Sequence, residues 1–207
     1  MEDSNNREIF RVRLLFVDLL KSFYQSEPDS ERMSRWRGTF SALAKEQVSP
    51  LFDSAVMELH GQLNEMSLTD IQREYYELFT NPFSKSQVNT LASYYLDGRS
   101  FGESLVELRS LLAEAKLERE EGVVDSEDSL PMLLDIFARL IEEEKNTDSD
   151  TIRQLQGRLL RDYLEPFSKQ FSEAVNGAEV AKFYRSCCRL LCGYLDLEKS
   201  LVDVSQA

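Results

Sequence analysis

The chain has 207 residues, 42% hydrophobic and 29% charged, which is enough apolar content for a sizeable core and too much for wholesale disorder. Eight glycines and five prolines are too few turn residues for a hairpin-built β-sandwich or barrel. Lys plus Arg at 24 against Asp plus Glu at 37 gives a net charge of −13. That excludes the basic footprint of a general nucleic-acid binder and any polybasic hold on an anionic membrane.

Residues 1–8 are polar and acidic, without the basic-then-apolar layout of a secretion signal. Leu14–Val17 is the best early apolar run, and Asp18 cuts it well short of the roughly 18 apolar residues of a membrane span. A cytoplasmic protein without stable membrane insertion is expected. Ile9, Val12, Phe16, Leu19, Leu20 and Phe23 then recur at helical spacing and predict a first helix with these residues inward, ended by Pro28-Asp29. A second is predicted over about 31–45, with Met33, Trp36, Phe40 and Leu43 inward. Ser49-Pro50 reads as N-cap and first residue of a third, whose stripe is Phe52, Val56, Leu59 and Leu63. A fourth starts near Thr69-Asp70 and carries Ile71, Tyr75, Leu78 and Phe79.

The helical period then breaks. Between the turn signals Asn81-Pro82 and Asp97-Gly98, residues of about 80–99 have no clean period, and such long irregular segments often carry function. Helix resumes at Phe101 and is expected to run to Glu121, with Gly122 as its C-terminal stop. Leu130, Leu133, Leu134, Phe137, Leu140 and Ile141 form the sharpest stripe, started by Pro131 with Asp128 or Ser129 as N-cap. A helix over about 151–164, a separate short one after Pro166 and a last one over about 178–201 complete the chain. The expected fold class is all-α: one domain over 1–207, a bundle of eight to nine helices.

The chemistry-bearing residues are few. No phosphate-cradling loop or nucleophile elbow is present. His60 is the sole histidine and reads as a helical surface or packing residue. Cys187, Cys188 and Cys192 share one helical segment, where thiols pack as small hydrophobes rather than as a zinc set. No metal or cofactor is expected. Residues 114–150 hold 13 acids against four bases, −9 of the −13 total. Solvated helix ends account for such a window. So does an electronegative site for an arginine-bearing peptide, since carboxylates bind guanidinium groups through charge-assisted hydrogen bonds. Phe79, Phe83, Leu91, Tyr94 and Tyr95 flank the irregular stretch, and beside an acidic helix start they would form an apolar-anchored peptide groove.

At these residues the chain resembles the TorD/DmsD/NarJ family of redox-enzyme maturation chaperones. The family's Tyr-x-x-Leu-Phe-x-x-Pro segment is matched by Tyr75/Tyr76, then Leu78-Phe79 and Pro82. Its Glu-Pro-x-Asp-His-Leu stretch reads here Asp125-Ser126-Glu127-Asp128-Ser129-Leu130, in which only the Asp and the Leu match outright. Its His-Leu-x-Pro-Trp segment reads Tyr163-Leu164-Glu165-Pro166-Phe167, followed by Phe171 and Phe183-Tyr184. The resemblance covers about residues 10–195 and implies a TorD-like helical chaperone without catalysis. Its partner would be the twin-arginine signal peptide or N-terminal tail of a molybdopterin oxidoreductase, held until cofactor insertion. The chaperone would be a monomer or homodimer. The implied peptide-binding residues are Leu78, Phe79, Pro82, Phe83, Leu91, Tyr94, Tyr95, Asp125, Glu127, Asp128 and Ser129. The residues alone also admit a small helical nucleotide-binding enzyme, or a helical scaffold or regulatory subunit without a groove.

Overall fold

Most helices begin where a side chain accepts the first free backbone N–H groups. The computed structural model describes residues 2–118 and 124–204. Among them are α1 (Glu2–Tyr24), α2 (Ser30–Leu43), α3 (Pro50–Glu65), α4 (Leu68–Tyr75) and α5 (Ala92–Leu96). They are followed by α6 (Glu103–Glu114), α7 (Leu130–Thr147), α8 (Asp150–Arg158), α9 (Glu165–Gly177) and α10 (Phe183–Val204). A π-helical turn at Tyr76–Thr80 prolongs α4, and another at Leu159–Leu164 joins α8 to α9. The described residues thus form nine continuous helices and no strand, the expected all-α class.

Local caps explain the early starts. Asp29 accepts from the N–H of Arg32 and opens α2, while Ser49 with Pro50 opens α3. Ser67 and Asp70 close a reciprocal capping box on α4. The later starts use distant carboxylates. Asp97 accepts from the N–H and hydroxyl of Ser104 (3.0 and 2.7 Å) and caps α6. Gly102 is required there, because an added Cβ would lie 2.1 Å from the Asp97 carboxylate. Glu74, nearly buried, accepts from the N–H groups of Lys182, Phe183 and Tyr184 (2.8, 3.0 and 2.8 Å) and so starts α10 at Phe183 rather than near Ala178. Burial pushes its carboxyl pKa up, and the three N–H groups pull it back only in part.

Three helical expectations are corrected. Ile9 and Val12 of α1 do not face inward: they are 38% and 42% exposed, because Arg13 takes the inward position instead. The helix from 101 does not reach Glu121. It ends at Glu114, where Lys116 adopts a left-handed φ of 55°. The N–H groups of Lys116 and Leu117 bond to Ala113 and Leu112, a Schellman closure. Gly122, the expected stop, lies outside the described residues. Replacing the exposed Lys116 by glycine should relieve the left-handed strain and stabilise the protein by about 0.5–1 kcal/mol, read as a shifted urea midpoint at unchanged slope. Finally, Pro166 does not separate two helices. Its missing N–H and its ring would break an α-helical ladder, but the wide turn ahead of it shifts the register, with the Glu165 N–H bonding to Leu160. The turn at Tyr76–Thr80 instead closes its helix, with the Asn81 N–H bonding to Tyr76 and the chain extended before Pro82.

The chain divides into two compact units. The first comprises Met1–Lys21, Leu91–Phe167 and Leu197–Ala207. Its apolar core includes Leu130, Leu134, Phe137, Leu140 and Ile141 of α7 with Leu159, Leu164 and Phe167. A buried polar lock sits beside it. The Arg13 guanidinium bonds to Glu198 (3.0 and 3.1 Å), Glu144 (3.2 Å) and Gln156 (2.8 Å), and Gln156 in turn bonds to Glu144 and the Leu140 carbonyl. The second unit comprises Ser22–Thr90 and Ser168–Asp196. Its core is aromatic: Phe23 packs on Trp36 and Phe183, and Phe79 on Tyr75, Phe171 and Tyr184. Cys187 and Cys188 are buried there, and burial raises their thiol pKa values, so they pack rather than react.

Candidate functional site

The irregular stretch and the acidic helix start are joined in the first unit by the backbone. Leu91 forms an isolated antiparallel bridge with Ser129, and the Ala92 N–H donates to the Asp128 carbonyl (2.8 Å). The Asp128 carboxylate, 1% exposed, accepts from the Ser93 N–H (3.0 Å) and from the Ser126 hydroxyl. Ser93 lies in the first turn of α5, so Asp128 caps that five-residue helix, while Ser129 is the N-cap residue of α7 itself. A helix this short has too few internal bonds to stand alone. The remote carboxylate is the reason Ala92–Leu96 is helical inside an otherwise irregular segment.

The cap presents an aromatic pair. Tyr94 is 46% exposed and packs edge-on against Tyr95 at 5.1 Å, and Tyr95 rests on the buried Phe167 at 5.5 Å. Asp125 is exposed. Glu127 is already held by a guanidinium of the chain itself: Arg109 of α6 makes a two-pronged contact to it at 3.2 and 3.0 Å. Arg109 is half exposed, so this clasp stands at the surface. Phe101 adds a 67% exposed ring on a left-handed backbone (φ 60°), held by its N–H bond to the Ser93 hydroxyl. The first unit thus offers rings beside carboxylates, the combination that binds a peptide with arginine and apolar residues.

The eleven expected site residues separate by place. Leu91, Tyr94, Tyr95, Asp125, Glu127, Asp128 and Ser129 belong to this junction. Leu78, Phe79, Pro82 and Phe83 belong to the second unit. There Leu78 is fully buried and accepts the Val88 N–H at its carbonyl, and Phe79 is a member of the aromatic core. Pro82 is exposed and Phe83 is 93% exposed. Within the Asp125–Leu130 segment, the two positions that match the chaperone pattern outright, Asp128 and Leu130, are both buried. They hold the junction together, and the departures fall on Asp125, Ser126 and Ser129 around them. Tyr163 stands where the pattern has histidine. Burial, then the Glu107 and Asp162 carboxylates, pushes its hydroxyl up to about 12, so this position carries no charge switch near neutrality. Arg109 and Phe101 were not expected at the site. Arg109 sits 18 residues before its partner on another helix, and no spacing rule links them. Phe101 carried a local signal, since it follows Asp97-Gly98 and precedes Gly102.

Other candidates are weaker. His60 contacts Ser41 and Asn64 at the surface, as its helix position suggested. A hollow of about 510 Å³ in the second unit is lined by Glu65, Asp70, Glu74 and Glu77 with Arg73 and Lys182. Of these acids, Glu74 caps α10, Asp70 caps α4 and pairs with Arg73, and Glu77 accepts from Asn81. Among the described residues no group of three or more His, Cys, Asp or Glu is placed to hold a metal, and no helix is long and apolar enough to cross a membrane.

Residues 45–173, well over half of the chain and drawn from both units, match the family described as nitrate reductase delta subunit. No curated protein matches the chain. The matched span contains the Leu78–Pro82 segment, the Leu91–Ser129 junction and the Pro166 turn. Members of that family are assembly chaperones of molybdoenzymes and not catalysts, which removes the reading as a small nucleotide-binding enzyme. The chain belongs to the nitrate reductase delta subunit family of NarJ/TorD-like chaperones.

Proposed function

We propose that the protein is a cytoplasmic chaperone that binds the twin-arginine signal peptide or N-terminal tail of a molybdopterin oxidoreductase at the Leu91–Ser129 junction and holds it until the cofactor is inserted. The observation that carries this reading is the junction itself: Asp128 ties the aromatic pair of α5 to the carboxylates before α7. Tyr94, Tyr95 and Leu91 supply apolar anchors, Asp125 and Glu127 read guanidinium groups, and Asp128 with Ser129 forms the frame. Within the second unit, Phe83 is an exposed apolar surface in its own right, and Leu78 and Phe79 support its segment from within. Two guanidinium contacts at about 1.5–3 kcal/mol each, with apolar burial added, reach the roughly 8 kcal/mol of a micromolar complex.

In this account Arg109 occupies, at Glu127, the place of a ligand guanidinium. Removing it by Arg109→Met should therefore tighten binding of an Arg-Arg peptide about two- to fivefold, the worth of an exposed ion pair. Calorimetric titration with a synthetic leader is the test. Unchanged or weaker binding in the variant would place the arginine contact elsewhere.

A further inference from the structure

The first unit also carries a groove of the opposite electrostatic character. It has a volume of about 760 Å³ and lies between α1 and α7. The pairings Lys21–Asp135 and Arg13–Glu144 show that the two helices run antiparallel. Along α1 the groove extends from Arg7 to Lys21, roughly 21 Å or four turns. Leu14, Leu15 and Ala138 contribute its apolar lining, and Leu15 is 60% exposed. At the Lys21 end the charges satisfy one another, since Asp135 accepts from both Lys21 and Arg139. At the other end they do not: Arg7, Arg11 and Lys145 converge on the groove with Glu142 as the one acid among its lining residues there. None of these three cations has an ion-pair partner among residues 7–118 and 124–202. Ile9 and Val12 extend the exposed apolar run of α1 beside them.

We propose that this groove is a docking site for an acidic amphipathic helix of a partner protein. Two antiparallel helices leave a furrow that a third helix fills, with apolar residues at i, i+3 and i+4 meeting Leu14 and Leu15. Three cations with no ion-pair partner among the described residues, in a chain of net charge −13, set the sign of the partner. The same charges repel an arginine-bearing leader, so the groove is a second surface, independent of the peptide site proposed above. An anionic membrane is disfavoured by the charge of the whole chain.

The test uses a fluorescent synthetic helix of Glu and Leu with Leu at i, i+3, i+4 and i+7, an isomer of the same composition with the stripe scrambled, and a Lys-for-Glu counterpart. Fluorescence anisotropy should show binding of the striped acidic peptide alone. The exposed double substitution Arg7→Glu with Arg11→Glu should weaken it about tenfold or more. Leu15→Asp should weaken it too, and both variants should melt like the parent. Binding of the scrambled isomer as tightly as the striped one would reduce the groove to a general anion patch and overturn the proposal. So would wild-type affinity in both variants, no binding of the striped peptide, or sedimentation showing that the unaltered chain dimerises and that Arg7→Glu with Arg11→Glu makes it monomeric.

Discussion

Replacing Arg13 by alanine should cost about 3–5 kcal/mol of stability, the penalty for leaving buried carboxylates without their cation. Glu198 is 1% exposed and Glu144 11%, and both point at the same guanidinium. Without it they repel each other in a water-poor setting, and Gln156 loses its acceptor role. For a chain of this size the loss corresponds to a midpoint lower by roughly 10 °C. Arg13→Lys should recover only part, because a point charge cannot reproduce the three-way fork. Arg13→Leu combined with Glu198→Leu should recover more, since Glu144 keeps Gln156 and stands 3.7 Å from Arg153. Differential scanning calorimetry of the three variants checks this. A cost below about 1 kcal/mol for Arg13→Ala would mean that the network is not the lock described.

Asp128→Ala should produce the second large effect, about 2–3 kcal/mol, by orphaning the buried Ser93 N–H and the Ser126 hydroxyl. Asp128→Asn should cost well under 1 kcal/mol in comparison. Its amide oxygen still accepts from Ser93, and the Ser126 hydroxyl can turn to accept from its NH2. The two substitutions should separate in binding as well. The buried carboxylate makes no ligand contact in this account, so Asp128→Asn should leave peptide affinity within about twofold, whereas Asp128→Ala lowers it by releasing α5. Urea titration with parallel peptide titrations reads both effects.

The helices with local signals were legible in the sequence. Ser49-Pro50 and the stripe of α7 each need only neighbouring residues to act. The elements that escaped depend on remote groups. No pattern near Ser93 shows that Asp128 will cap it, and none near Phe183 points to Glu74. Lys116 ended a helix in a conformation that glycine usually takes, so the nearest glycine drew the expectation past the true end. Arg13 was invisible inward because a charged residue on an apolar stripe reads as a border, and its three partners lie more than 130 positions away. The Leu91–Ser129 junction was legible as a neighbourhood, the irregular stretch plus the acidic helix start. It was not legible residue by residue. Burial divides Asp128 from Asp125, three positions apart, and only packing shows which faces water.

The central claim is that carboxylates at the junction read arginine in a client leader. It is tested most directly by calorimetric titration of wild type and the double variant Asp125→Asn with Glu127→Gln. The titrant is the leader of the molybdoenzyme encoded nearest the gene, in its Arg-Arg and Lys-Lys forms. Wild type should bind the Arg-Arg form at micromolar strength and the Lys-Lys form about tenfold more weakly, because lysine cannot make the two-pronged contact. The double variant should bind both forms weakly and nearly alike. Equal affinity of wild type and double variant for the Arg-Arg leader would contradict the account.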